Sequence, residues 1–349
     1  MKAIIYHGPT DVSCETIPDP ELLEADDAIV RTTLCGICGS DLHPYHVHPG
    51  RSEFGIGHEA VGEVIDVGKA VTRFKAGDRV LVSASIGCGD CPPCQNGQVM
   101  FCHKYTDYTV FGQGLPHIGG CQAQAVRVPH AHANLWHLPD FISDEVGILL
   151  TDGLATAWLC ARRARIRPGD VVSVIGLGPI GQQCVMAAFA MGASRVLAVD
   201  LLPARRADAA RLGAEPVENS DAIEGILEMT SGRGADVVLD ANGSAATIQL
   251  AIHVSARGGR VSIVGVSEVM DVQFPIVESM AKNIDLAVCL TSVQAELPAL
   301  MKAVKDGSLS TKAMEGLISH RFDLDHGADA YALFDSRSND VRKVLITPN

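Results

Sequence analysis

From residue 170 onward the chain alternates short apolar runs with helical segments, and that rhythm narrows the possible folds more than any other feature. DVVSVIG (170–176) is a continuous apolar run of the kind that forms a strand covered on both faces. PIGQQCVMAAFAMGA follows with helical character and closes at Gly192. RVLAVD, ADVVLDA, GRVSIVGV and IDLAVCL (284–290) then read as strands, separated by the helical PARRADAARLGA and AATIQLAIHVSA. Such alternation predicts an α/β fold with a doubly wound parallel sheet, placed here over residues 153–290.

The first of these strands runs straight into VIGLGPIG, where Gly176, Gly178 and Gly181 form a GxGxxG pattern. Glycine is common, so the pattern takes its meaning from its place between a buried strand and a helix. Gly176 permits a tight turn, Gly178 lets a pyrophosphate approach the backbone, and Gly181 lets helix and strand pack closely. The helix opening at Pro179 and Ile180 offers free amides and a positive dipole end to the phosphates. Asp200 ends the next strand, nineteen residues past Gly181, where a carboxylate can accept hydrogen bonds from the adenosine ribose hydroxyls. A carboxylate repels a 2′-phosphate, so NAD is expected over NADP, tempered by Arg205 and Arg206 nearby. The bland alternative is a strand–turn–helix that holds no nucleotide.

The flanks read differently. Residues 1–152 are β-rich and irregular, with AIVRTTL, AVGEVIDVG and DRVLVSAS broken by Gly, Pro and Asp. Residues 291–349 hold a helical ELPALMKAVKDG and a closing strand RKVLI. The two segments are expected to pack as one domain, with the α/β unit inserted between them. A length of 349 residues suits two domains and a full hydrophobic core. No run approaches the roughly 20 apolar residues of a membrane span, and the first residues lack a signal-type apolar stretch. A cytoplasmic protein without a membrane partner is therefore expected. The formal net charge of −13 opposes nucleic-acid binding. Any anionic cofactor must be held by local devices such as backbone amides.

Eleven cysteines in a chain expected to stay reduced point to metal binding or catalysis rather than disulfides. Cys88, Cys91, Cys94 and Cys102 cluster in GCGDCPPCQNGQVMFC at spacings of 3, 3 and 8. Four thiolates close a tetrahedral zinc shell and leave no open position, which makes such a site structural. An iron–sulfur cluster takes the same ligand type, and a chance grouping of thiols is the remaining alternative. Outside that loop lie Cys38, the His58-Glu59 pair of a GHE triplet, and Asp152 in LLTDGLATAW. All are zinc-ligand types, and three protein ligands leave a fourth position for water or substrate. Their spacing alone does not bring them together, and each can equally be a buried thiol, a core histidine or a loop carboxylate.

GHEAVGEVIDVGKAV (57–71), GICGSDLH (36–43), the four-cysteine loop and GLGPIG, in that order, resemble the motifs of the zinc-dependent medium-chain alcohol dehydrogenase family over nearly the whole length. The resemblance implies a Rossmann sheet inserted in a β-rich GroES-like catalytic domain. It implies two zinc ions per chain, one catalytic and one structural, with NAD as cofactor. It makes Cys38, His58 and Asp152 the catalytic-zinc ligands and leaves Cys35 a small buried residue. Glu59 adjoins the metal and can exchange onto it, while Asp41 orients the ligand histidine. Ser40 takes the place of the hydroxyl that bonds the substrate alcohol, and His43 that of the group passing the proton to solvent. Thr156, Val264 and Val266 are implied on the nicotinamide side, Arg205 near the adenosine ribose, and Arg342 near the pyrophosphate. Gly39 stands where some members carry a phosphate-binding cation, a loss worth ~1 kcal/mol for an exposed contact.

The implied activity is reversible hydride transfer between an alcohol (primary, secondary or polyol) and NAD, giving the aldehyde or ketone. Zinc acts there as Lewis acid and NAD as hydride carrier. A zinc-independent reductase of the same superfamily is one rival. A non-catalytic NAD-binding regulator with structural zinc only is another, against which the Ser40–His43 pair speaks. Trp158 or residues near Leu115 are candidate pocket-lining groups, and His46 and His48 are expected on the surface. The absence of a long insertion near the cysteine loop goes, in the family, with a homotetramer; a dimer is the alternative.

Overall fold

Val171–Ile175 is buried at all five positions, and this strand is the axis of a six-stranded parallel sheet. Each fully buried Val or Ile there contributes roughly 1.5–3 kcal/mol by leaving water. The computed structural model describes residues 1–349 except 48, 49, 51, 52, 106–108, 116, 219, 220, 267–271, 337, 339, 340 and 349. In chain order its strands are β1 (Lys2–Gly8), β2 (Asp11–Thr16), β3 (Ala28–Gly36), β4 (Phe54–Gly55), β5 (Glu59–Val67), β6 (Arg79–Val82), β7 (Ala125–Val128) and β8 (Leu135–His137). They continue with β9 (Val171–Ile175), β10 (Arg195–Val199), β11 (Glu215–Pro216), β12 (Ala235–Asp240), β13 (Ser255–Ile263), β14 (Asp285–Val288), β15 (Ile318–Asp323) and β16 (Lys343–Thr347).

Two compact units result. One comprises Met1–Ala155, Thr291–Ala299 and Met314–Asn349; the other comprises Thr156–Leu290 and Leu300–Ala313. The second thus takes in 300–313, a stretch that sequence alone groups with the tail. In the first unit a β2–β1–β4 sheet accompanies a seven-stranded sheet of order β15–β16–β3–β5–β6–β8, with β7 also on β3. Here β16, from the end of the chain, pairs antiparallel with β3, Leu345 facing Gly36. First and last segments therefore share one sheet, and Ile4, Tyr6, Val30, Ile56, Val344 and Ile346 share one core.

The second unit has strand order β11–β10–β9–β12–β13–β14, all parallel. The order runs outward from β9 in both directions, which is the doubly wound Rossmann arrangement. Its turn after β9 behaves as the glycines require. Gly176 has φ +81°, and a Cβ on Gly181 would lie 1.8 Å from the Gly176 carbonyl oxygen. The helix Pro179–Ala190 begins at Gly178 without a side-chain cap, so its first amides stay available. It ends before Gly192, whose φ of +99° only glycine adopts freely.

Candidate active site

Three loop ends of the first unit converge. Strand β3 delivers Cys38 two residues past Gly36, at the start of a 3-10 turn Gly39–Asp41. Asp41 closes that turn by accepting the Cys38 backbone N–H at 2.9 Å. His58 directly precedes β5, whose Glu59 is paired with Gly36. Asp152 lies between the helices Asp144–Leu150 and Gly153–Arg163. The carbonyl of the preceding Thr151 is held by the backbone N–H of Ala84 at 3.1 Å.

The result is a tight donor set. The Cys38 thiol donates to Asp152 Oδ2 at 3.2 Å, and His58 Nε2 lies 3.4 Å from the same oxygen. Ligand atoms of Cys38, His58, Glu59 and Asp152 all fall within 4.8 Å of one another. Asp41 Oδ1 sits 2.8 Å from His58 Nδ1, which turns Nε2 toward Cys38 and Asp152. Burial works against a charged His58, but the charge of Asp41 and hydrogen bonds with Asp152 and Asp41 outweigh it and raise the imidazole well above its usual value. Burial, then the charge of Asp152, raises the Cys38 thiol. Such a site holds protons that a dication must displace.

Ser40 Oγ is 3.3 Å from Cys38 Sγ and 3.3 Å from His58 Nε2, on the exposed side of the set. His43 is half-buried in the helix Leu42–His46; among the described residues no hydrogen bond joins its ring to Ser40. Cys35 is fully buried and donates to the Cys121 carbonyl at 3.0 Å, with burial pushing its thiol up to about 12. His46, expected on the surface, is half-buried in an ion pair with Asp335 at 2.8 Å, and His48 lies outside the described residues.

The four-cysteine loop forms a second donor set. Its sulfur atoms lie within 4.8 Å of one another. Backbone N–H groups already point at them: Cys88 to Cys102 at 3.3 Å, Cys91 to Cys88 at 3.4 Å, and His103 to Cys91 at 3.4 Å. The amide of Cys94 is the main cause of a Cys91 thiol brought down to about 6. Four clustered sulfurs with amide donors suit a tetrahedral metal and leave no open position.

In the second unit Asp200 Oδ2 accepts the Leu177 N–H at 2.7 Å, and Oδ1 accepts that of Leu202 at 2.8 Å. A carboxylate has further lone pairs, so ribose hydroxyls can still bond to it. Arg205 Nη1 stands 3.7 Å from Asp200. Around Gly178 a Cβ would meet only Arg205, at 3.9 Å. Thr156 is half-buried, Val264 buried and Val266 exposed. The Arg342 backbone N–H bonds Ser319 Oγ at 2.9 Å. Trp158 is nearly buried in its helix, and Leu115 packs against the core of the first unit.

Comparison with known proteins finds matches along the whole chain. A family described as Alcohol dehydrogenase GroES-like domain matches residues 24–140, and one described as Zinc-binding dehydrogenase matches 179–306. A probable zinc-binding alcohol dehydrogenase of Mycobacterium tuberculosis is 37% identical over 350 residues, covering 100% of this chain and 89% of that protein. The chain belongs to the zinc-binding medium-chain alcohol dehydrogenase family. Sorbitol dehydrogenase of Bacillus subtilis is 30% identical over 359 residues, covering 100% of this chain and 98% of that one. The solved alcohol dehydrogenase from Thermus sp. ATN1 superposes with a TM-score of 0.92 at 36% identity, covering 99% of each chain.

Within this family frame three buried groups stand out that sequence reasoning did not single out. Lys343 donates to Glu59 and to the Ile37 carbonyl. Gln122 donates to the Gly36 carbonyl at 3.0 Å and accepts from Tyr331 at 3.0 Å. Gln182 ties the nucleotide turn by donating to the carbonyls of Leu177 and Arg205. None carries a local signal, because Lys and Gln side chains ordinarily face water.

Proposed function

We propose that this oxidoreductase reversibly transfers a hydride between an alcohol and NAD, using one catalytic and one structural zinc per chain. The convergence of Cys38, His58 and Asp152, with Asp41 behind His58, carries the reading. The donor chemistry fits a divalent metal: one sulfur, one nitrogen and one oxygen, with Ser40 on the exposed side. Cys88, Cys91, Cys94 and Cys102 would hold the structural ion.

When bound, the metal supplies a Lewis acid to the substrate oxygen and NAD supplies the hydride acceptor. Asp41 keeps the His58 proton on Nδ1, leaving Nε2 as a donor of electrons to the metal. Ser40 Oγ would accept the proton of the substrate hydroxyl as it releases its own, and His43 would carry the released proton toward solvent. On the second unit the amides of Ile180 and Gly181 hold the pyrophosphate, and Gly178 leaves room for it. Asp200 bonds the adenosine ribose and favours NAD, with Arg205 beside it. Thr156, Val264 and Val266 serve the nicotinamide and Arg342 the pyrophosphate. The similarity to sorbitol dehydrogenase supports including polyols among the alcohols.

A homo-oligomer, of four chains by family resemblance, is part of the proposal. Strand β14 ends its sheet and exposes Leu286 and Val288, with Ile276, Val277 and Met280 exposed on the helix Ile276–Lys282. Among the described residues no helix is long and apolar enough to cross a membrane. The activity is tested by incubating zinc-loaded protein with NAD and a panel of primary alcohols, secondary alcohols and polyols. NADH formation with at least one is expected; none, in either direction, contradicts the reading.

A further inference from the structure

Strands β3 and β5 pair as far as Gly36 and Glu59. Cys38 and His58 lie just beyond that last pair, so the ladder itself does not fix the gap between them. A side chain from a third segment spans it. Gln122 is fully buried, and its Nε2 donates at 3.0 Å to the carbonyl of Gly36, two residues before Cys38. The same side chain covers Gly57, the residue before His58: a Cβ on Gly57 would lie 2.5 Å from Gln122 Cγ and Cδ. Gly57 has φ +89°, a backbone that glycine adopts without strain. Main-chain bonds hold the same turn, from the Gln122 N–H to the Ile56 carbonyl at 3.2 Å and from the Cys121 N–H to the Gly57 carbonyl at 2.8 Å.

The amide of Gln122 has one favoured orientation. Tyr331, fully buried in the helix Gly327–Asp335, donates its hydroxyl to Gln122 Oε1 at 3.0 Å. That bond commits Oε1 as acceptor and leaves Nε2 for Gly36, whereas a flipped amide would set two carbonyl oxygens against each other. Tyr331 is braced in turn, its ring 5.2 Å from that of Tyr45 in the helix Leu42–His46. A buried amide paired at both ends rigidifies what it joins. An apolar side chain of the same size would cover Gly57 but leave Gly36 unheld. Building on the metal site proposed above, we propose that Gln122 is a positioning residue that clamps the Gly36 end of β3 to the Gly57 turn and so sets the separation of Cys38 and His58, with Tyr331 fixing its amide.

Cobalt(II) in place of zinc reports the geometry of each site through its visible absorption, with Asp152→Ala as the baseline for the four-cysteine loop alone. Gln122→Met keeps the bulk over Gly57 and loses the donor to Gly36. Its catalytic-site spectrum should shift, and a chelator should remove that cobalt about tenfold faster, the low end for outer partners of a metal. The cobalt of the four-cysteine loop should leave at the wild-type rate. Tyr331→Phe loses the hydroxyl that orients the amide and should shift the same bands by less; added to Gln122→Met it should change nothing further. Where Gln122→Met does not fold, Gln122→Asn, one methylene short of Gly36, carries the same expectation. An unchanged catalytic-site spectrum and release rate, or equal loosening of both metal sites, overturns the role of Gln122. A Tyr331→Phe effect that adds in full to that of Gln122→Met overturns the part given to Tyr331. Wild-type protein with no cobalt signal above the Asp152→Ala baseline overturns instead the metal site on which both roles rest.

Discussion

In the proposed site Asp41 acts without touching a substrate. Its two oxygens hold the Cys38 backbone N–H and the His58 ring, so one carboxylate places two of the three donors. Outer partners of this kind typically carry 10–100-fold in metal affinity. Asp41→Ala should weaken the catalytic site by about that factor, read as the zinc concentration that restores half of full turnover. The four-cysteine ion should stay bound throughout; an unchanged zinc requirement would contradict the role. Asp200 invites a second test. Asp200→Ala should move the ratio of kcat/KM for NAD over NADP toward NADP. It should also lower Tm, because the Leu177 and Leu202 amides lose their acceptors. Undiminished preference for NAD would remove Asp200 from the ribose.

Among the elements, the four-cysteine loop does more than gather four thiols. Ser292, just before the helix Val293–Lys305, accepts the Met100 N–H at 3.1 Å, and Gln294 bonds both Ser85 and Asn134. The loop thus docks on the segment that returns to the first unit. Ser292→Ala leaves a buried amide unpaired and should cost roughly 1–3 kcal/mol in stability. Denaturant unfolding checks it, and no change would show that the amide finds water. Cys94→Ser should remove one metal and lower Tm while turnover per remaining zinc persists; lost turnover at unchanged Tm would contradict the structural role. These local features were the legible ones. The glycine turn and the cysteine loop each fall within a short stretch of chain, and the apolar strands β9, β10, β12 and β13 show plainly. The polar β15 (ISHRFD) and the two-residue β11 have no such pattern. Asp152, 114 residues from Cys38, was placed by family resemblance rather than by spacing. Lys343 was illegible, since an ammonium in a strand normally marks the wet face, whereas β16 is buried on both faces through its first four residues.

For the whole molecule, β16 closing on β3 makes the second unit an insertion within the sequence of the first. Strand β16 thereby brings Lys343 to Glu59. The exposed apolar edge at β14 belongs to the same scale. Leu286→Lys with Val288→Asp should shift the mass measured by sedimentation toward the single chain, and an unchanged mass would place the contact elsewhere. The central claim is that Cys38, His58 and Asp152 hold a metal with one position left open. Zinc counted per chain, with turnover, in wild type and Asp152→Ala tests it most directly. The expected result is two zinc ions falling to one, turnover lost and Tm nearly kept; an Asp152→Ala protein that retains two zinc ions and full turnover contradicts it.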